Sequence, residues 1–322
     1  MSIQTNIDCL SMMLRSDRRP DKWYDLVRQL PMPEAPDGIP LINMGYWKGV
    51  SPRDAGGMWE ATLRLFRLVG ETAELGPGDE AVLDAGCGYG TNAIHCMETF
   101  GPRRIVGLNT AAHQIARATP LVAARGLADR IVFQHGSALD IPQPDASFDK
   151  VVSVEAAFHF PPRSAFFREA RRVLRPGGLL TIADIVPVPP RTLLQRGLLG
   201  VLRRGMQISA QNVYGLDRYQ EELEDAGFTV EHVESIRAHV FPQYPQWLLR
   251  HRVNRVADMN VAFAAGNIAF FAYPWDYAVI RARRTGHRPA ARREGSPARC
   301  PRAAGAAVDA PAACPFGGRA DV

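Results

Sequence analysis

The sequence predicts an α/β fold: a doubly wound, mostly parallel sheet with helices on both faces, preceded by a helical lid and covered by a helical substrate cap. Two observations predict it. From residue 81, short apolar runs alternate with longer amphipathic stretches, and strands separated by helices build βαβ units and a parallel sheet. The first apolar run also ends in a glycine-rich turn that opens into a helix, the place where open α/β sheets seat a ligand. The chain has 322 residues, 46% hydrophobic and 22% charged. That is an ordinary globular make-up, long enough for one large domain or two small ones.

Residues 1–54 read as a lid or appendage. They hold two short helix candidates, IDCLSMMLR (7–15) and DKWYDLVRQL (21–30), then Pro31, Pro33, Pro36 and Pro40. The main domain is expected over 55–284. Its first helix, AGGMWEATLRLFRLVG (55–70), repeats apolar residues at intervals of three and four. AVLDAG is the first strand and TNAIHCMETF the helix after it; RIVGLN (104–109) and AAHQIARATPLVAARG are the next such pair. RIVFQHG (130–136) and FDKVVSVEAAF (148–158) are the third and fourth strands. The helix RSAFFREARRVLRPGG (163–178) is stopped by Pro-Gly-Gly, and LLTIADIV (179–186) is the fifth strand. DRYQEELEDAG (217–227), FTVEHVESIR (228–237) and WDYAVIRARR (275–284) add a helix and two strands. About 187–217 and 241–274 depart from the alternation and are assigned to the substrate cap. Residues 285–322, rich in Ala, Arg, Pro and Gly, are expected to form a disordered basic tail.

The formal net charge of +5 belongs to that tail. Nine arginines and three acids lie beyond residue 280, leaving 29 basic and 30 acidic residues before it. A near-neutral body has no electrostatic footprint for nucleic acid, so none is expected as a partner. No run reaches the roughly 18 apolar residues of a membrane span. MSIQTNIDCL lacks the basic-then-apolar pattern of a secretory leader, and the five cysteines follow neither a disulfide nor a zinc spacing. A reducing, cytoplasmic setting is expected, and a homodimer is left open.

VLDAGCGYGTNA (82–93) sets Gly86, Gly88 and Gly90 two residues apart after Asp84. Glycines at a strand-to-helix turn let the chain bend and a ligand approach without Cβ atoms in the way. A dinucleotide turn places its third glycine one residue later and sets pyrophosphate on the helix N-terminus. An acid at this mouth repels pyrophosphate and attracts an ammonium. The expected ligand carries an amino group near a nucleoside.

DAGCGYG resembles the first motif of class I S-adenosylmethionine-dependent methyltransferases, a Rossmann-like family. Other stretches follow in the family's order over roughly 41–240: GLNTAAHQIARA, FDKVVSVEAAFHF and VLRPGGLLTIADI. GYW near the N-terminus, a His after the fourth strand and an Asp ending the fifth are similar to small-molecule O-methyltransferases of bacterial secondary metabolism, including those acting on sugars, polyketides and peptide-polyketides. GLN-x-x-x-x-Q and VEA-x-x-H are similar to sterol C-methyltransferases. The resemblance implies S-adenosyl-L-methionine as cofactor and a set of roles. Gly86 and Gly88 bound its methionine part, Asp84 faces its amino group, and Tyr46 and Trp47 close over it. Asn109 stands where relatives carry an acid against the ribose hydroxyls; an amide still accepts one bond and donates another. Gln114 assists it. Ser137 holds the place of an Asp against the adenine amine, and Ala138 offers backbone there.

In VVSVEAAFHFPPR (151–163) a carboxylate, Glu155, and an imidazole, His159, stand four residues apart in an apolar run. On a helix that spacing places both on one face, where they chelate a metal. The run is a strand end closed by two prolines, and no Cys or Asp completes a ligand set, so no metal is expected. A satisfied core pair is a second reading. The third is catalytic, because strand C-termini line the ligand crevice. His159 follows such a strand and Asp184 ends the next. An imidazole takes a proton from a hydroxyl at neutral pH, and a nearby carboxylate orients it. Glu155 is assigned to the cofactor side as a buttress. The expectation is methyl transfer to a hydroxyl oxygen of a small or medium-sized natural product, with His159 as general base and Asp184 assisting. Methylation of an isoprenoid or sterol-like alkene carbon, and a silent methyltransferase-like binding subunit, are the alternatives.

Overall fold

A computed structural model describes residues 32–251 and 273–286. The helices expected at 7–15 and 21–30, the cap between 252 and 272 and the tail from 287 lie outside the described residues. Helix α1 (Gly57–Thr72) precedes β1 (Val82–Ala85), α2 (Thr91–Phe100), β2 (Ile105–Asn109), α3 (Ala112–Ala124), β3 (Ile131–His135) and β4 (Phe148–Val154). Then come α4 (Arg163–Val173), β5 (Leu174–Pro187), α5 (Leu193–Gly205), α6 (Leu216–Asp225), β6 (Phe228–Ser235), α7 (Gln243–Arg250) and β7 (Trp275–Arg284).

The strands form one seven-stranded sheet in the order β3-β2-β1-β4-β5-β7-β6. Neighbours from β3 to β5 are parallel, and β7 runs antiparallel between β5 and β6. The chain therefore winds outward from β1 in one direction and from β4 in the other. The carboxyl ends of β1 and β4 form the switch point where such sheets hold a ligand.

Alternate side chains enter opposite cores. Val82, Ile105 and Val152 pack with Leu65, Val69, Ile94 and Met97 on one face. Leu83, Val106 and Val151 pack with Phe166, Phe167, Tyr219 and Leu223 on the other. Burial on both faces is why these strands read as continuous apolar runs. A third cluster joins Ile39, Leu41 and Trp47 of the entering segment to Met58 of α1 and Trp247 of α7.

Two boundaries differ from the sequence reading. The fourth strand stops at Val154 and not at 158, because Glu155 adopts a left-handed φ of 48° and takes the chain out of the ladder. A single turn of 3-10 helix, Ala157–His159, follows. Helix α4 ends at Val173, ahead of the Pro-Gly-Gly stop, and β5 begins at once. Leu174 is already extended, with ψ of 144°, and pairs with Phe148. Arg175 precedes Pro176, and a residue before proline is driven from helical to extended conformation.

Gly90, the N-cap of α2, sits at φ of 78°, and a Cβ there would lie 2.3 Å from Cζ of Phe133. Gly90→Ala is expected to lower stability by about 2–4 kcal/mol, through left-handed strain and overpacking together. A shift in the urea midpoint at constant m-value checks this.

Candidate active site

A cavity of about 250 Å³ opens at the switch point. Asp84, Gly86, Gly88, Asn109, Gln114, Ser137, Ala138, Glu155 and His159 all line it, brought from four separate stretches of chain.

Asp84 ends β1 with 1% of its surface exposed, and its Oδ2 has no hydrogen-bond partner. Burial raises its pKa to about 7, with the Asn92 amide pulling the other way. Nδ2 of Asn92, on the first turn of α2, is near enough to this carboxylate to oppose the shift but does not meet hydrogen-bond geometry with it. Gly86 and Gly88 turn the chain here at φ of 85° and 54°. A Cβ on Gly86 would meet Ala156 at 2.4 Å, and one on Gly88 would meet Ile42 at 2.6 Å. An incompletely bonded buried carboxylate beside a glycine turn suits a cationic group that also needs backbone access.

The β2 end of the cavity is polar and neutral. Asn109 donates from Nδ2 to Oε1 of Gln114 at 2.7 Å and to the Gly88 carbonyl at 3.4 Å, and its Oδ1 accepts from Thr110 N–H at 3.0 Å. Gln114 is thereby tied to Asn109. Ser137 Oγ accepts from Leu139 N–H at 3.1 Å, closing a short turn that presents the 137–139 backbone to the cavity.

Glu155 and His159 occupy the β4 side. Oε1 of Glu155 accepts from Met44 N–H at 2.7 Å and from the Tyr277 hydroxyl at 2.8 Å. Burial raises this carboxyl to about 7 as well, with those two donors opposing. Glu155 is left-handed and His159 lies in the 3-10 turn, so the helical spacing a chelating pair needs is not formed. Among the described residues no three His, Cys, Asp or Glu side chains group as a metal site. The imidazole of His159 packs tilted against the Phe158 ring, with centroids 4.0 Å apart.

Three expected residues are placed elsewhere. Trp47 is only 2% exposed and packs in the third core, with its indole N–H on the Met44 carbonyl at 2.7 Å. Tyr46 packs edge-on against His239. Neither lines the cavity. The wall they were expected to provide comes from Pro40, Leu41, Ile42 and Asn43 just before them. Gly45 permits this approach at φ of 70°, where a Cβ would fall 2.7 Å from that of Ala61 in α1. Asn43 holds the bend, accepting from Gly45 N–H at 2.9 Å and from the Thr62 hydroxyl at 3.1 Å.

Asp184 is the third. It is fully buried and does not line the cavity. Oδ2 pairs with Nε of Arg163 at 3.1 Å and accepts from the Tyr219 hydroxyl at 3.1 Å, while Oδ1 accepts from Phe158 N–H at 3.0 Å. The Arg163 guanidinium lies over the rings of Tyr214 and Tyr219, at 5.1 and 4.6 Å. The Asp184 carboxylate, expected to assist His159, is thus claimed by a buried arginine, a tyrosine and a backbone amide.

Residues 82–178 match a methyltransferase domain family. The chain is 36% identical over 218 residues to erythromycin 3''-O-methyltransferase of Saccharopolyspora erythraea, covering 65% of this chain and 68% of that protein. It is 35% identical over 203 residues to 27-O-demethylrifamycin SV methyltransferase of Amycolatopsis mediterranei, covering 63% and 72%. Among solved structures, the [4+2]-cyclase SpnF superposes with a TM-score of 0.64 at 26% identity, over 83% of this chain and 95% of that one. The chain belongs to the class I S-adenosylmethionine-dependent methyltransferases. Its cofactor is S-adenosylmethionine, and the incompletely bonded Asp84 carboxylate, the glycine turn and the Asn109 amide fit that molecule's ammonium, methionine backbone and ribose.

Two outcomes follow from the two buried aspartates. S-adenosylhomocysteine, which carries the same ammonium, binds better once Asp84 is ionised. Its affinity is expected to rise roughly eightfold from pH 6 to 7.5, the change for one group titrating at about 7. Calorimetry across that range checks this, and Asp84→Asn should weaken binding and flatten the profile. Asp184→Ala strands Arg163 in the core and should cost about 3–5 kcal/mol of stability in denaturant unfolding.

Proposed function

We propose that this protein methylates a hydroxyl oxygen of a medium-sized, partly apolar natural product, with His159 as the general base. The observation that carries the reading is that His159 shares one cavity with Asp84 and Asn109, on the β4 side. The two relatives named above, both O-methyltransferases by name or by the bond their substrate lacks, support an oxygen acceptor. When bound, S-adenosylmethionine supplies an electrophilic methyl group. The chain's own residues then have two tasks. The cavity wall from residues 40–43 and the β1 turn aligns the reactants, and alignment supplies much of the rate. His159 accepts the proton that the hydroxyl gives up, which a neutral imidazole does near pH 7. Glu155, tied to Met44 and Tyr277, holds the entering segment against the sheet.

A second reading is a methyltransferase-like chain that does other chemistry, favoured by the likeness to a protein described as a [4+2]-cyclase. Incubation with S-adenosylmethionine and a panel of hydroxylated polyketides, 27-O-demethylrifamycin SV among them, separates the two. The proposal expects S-adenosylhomocysteine as a product and a loss of about 10²–10⁴ in turnover for His159→Ala. Near-normal turnover by that variant would return His159 to the core, and acceptor conversion without cofactor consumption would favour the second reading.

A further inference from the structure

We infer that Asn212, in the cap insertion, is the positioning residue for His159. The inference rests on the reading of His159 as the base, and its test separates the two. Asn212 closes the short turn Ala210–Asn212 between α5 and α6 and is fully buried. Its Nδ2 donates to the Phe160 carbonyl at 2.7 Å and to the Phe158 carbonyl at 3.2 Å, the residues on either side of His159. Its Oδ1 accepts from Arg163 N–H at 2.9 Å. One amide thus spends both N–H groups on the peptide carbonyls that bracket the imidazole, and its oxygen on the residue that starts α4.

The other main-chain groups of this segment are held as well. Phe158 N–H donates to Asp184, His159 N–H to the Ala156 carbonyl at 3.0 Å, and Phe160 N–H to the Ala157 carbonyl at 3.1 Å. Those bonds are local or come from the sheet. Among the described residues, Asn212 brings a contact from the cap, 54 residues away from Phe158 in sequence. The grip on the Phe158 carbonyl fixes the peptide plane that leads into His159, and the grip on the Phe160 carbonyl fixes the plane one residue beyond it, so the chain on both sides of His159, and with it the direction of its Cα–Cβ bond, is restrained from one point. A buried amide has few alternative partners and costs its full desolvation if one is lost, so the arrangement is specific. Asn212 therefore bears on the base through backbone carbonyls, and the described cap residues do not themselves line the cavity.

Asn212→Asp tests this, because it keeps the shape and the acceptor for Arg163 N–H while replacing the amide that grips the two carbonyls. Asn212→Ala is the second variant. Calorimetry with S-adenosylhomocysteine, amide exchange over residues 157–160 and an NMR titration of the His159 imidazole, identified by its absence in His159→Ala, are compared with the parent. We expect cofactor affinity within about threefold, exchange in that segment faster by roughly tenfold or more, and an altered His159 titration. On the acceptor that is turned over, kcat should fall about 10- to 100-fold with KM for S-adenosylmethionine unchanged, and adding Asn212→Asp to His159→Ala should cost nothing further. An unchanged imidazole signal and unchanged exchange overturn the inference. So does loss of cofactor binding in both variants, which would make Asn212 a requirement of the fold. Normal turnover by His159→Ala would instead sink the base while the clamp, read on the imidazole and the amides, stands.

Discussion

Burying a carboxylate without a cation costs several kcal/mol, and a protein meets that cost by supplying a partner, a proton or a ligand. Two strand-end aspartates on this sheet meet it in opposite ways. Asp184 has Arg163, Tyr219 and a backbone amide around it, and the group is closed. Asp84 has one oxygen without a partner, and burial holds its proton to about pH 7. The site depends on that difference. The closed aspartate anchors the segment that carries His159, and the open one marks where a cationic ligand completes the electrostatics.

The entering segment belongs to the same balance. Glu155 leaves the fourth strand in a left-handed conformation that a glutamate rarely adopts. Its carboxylate then ties Met44 to Tyr277, so the N-terminal approach, the end of β4 and the antiparallel strand β7 meet at one acid. Trp47 sinks into the third core and pins the bend from behind, while Pro40 to Asn43 form the wall. The aromatic pair anchors the wall rather than forming it.

Much of this was legible in the sequence. Strands buried on both faces announce themselves as apolar runs, and the glycine turn after Asp84 locates the ligand. What was not legible depends on tertiary partners. Asp84 and Asp184 look alike as acids ending apolar strands. The arginine that claims Asp184 lies 21 residues earlier, in PPRSAFF, where it reads as an ordinary helix start. Tyr46 and Trp47 bury well in many settings, so their type does not say which side of the chain they face. Residues 40–43 follow a proline cluster and carry no periodic signal. Asn212 stands in QNVYG, inside the stretch assigned as a whole to the cap, where no pattern singles it out.

The central claim is that the methyl group goes to oxygen in a cavity held between Asp84 and His159. The most direct measurement uses S-adenosylmethionine labelled with carbon-13 in its methyl group, a hydroxylated polyketide acceptor, and carbon NMR of the product. The label should appear as a methoxy carbon, and its appearance should fail in His159→Ala. A label bonded to carbon, or methoxy product formed at the parent rate by that variant, would contradict the claim.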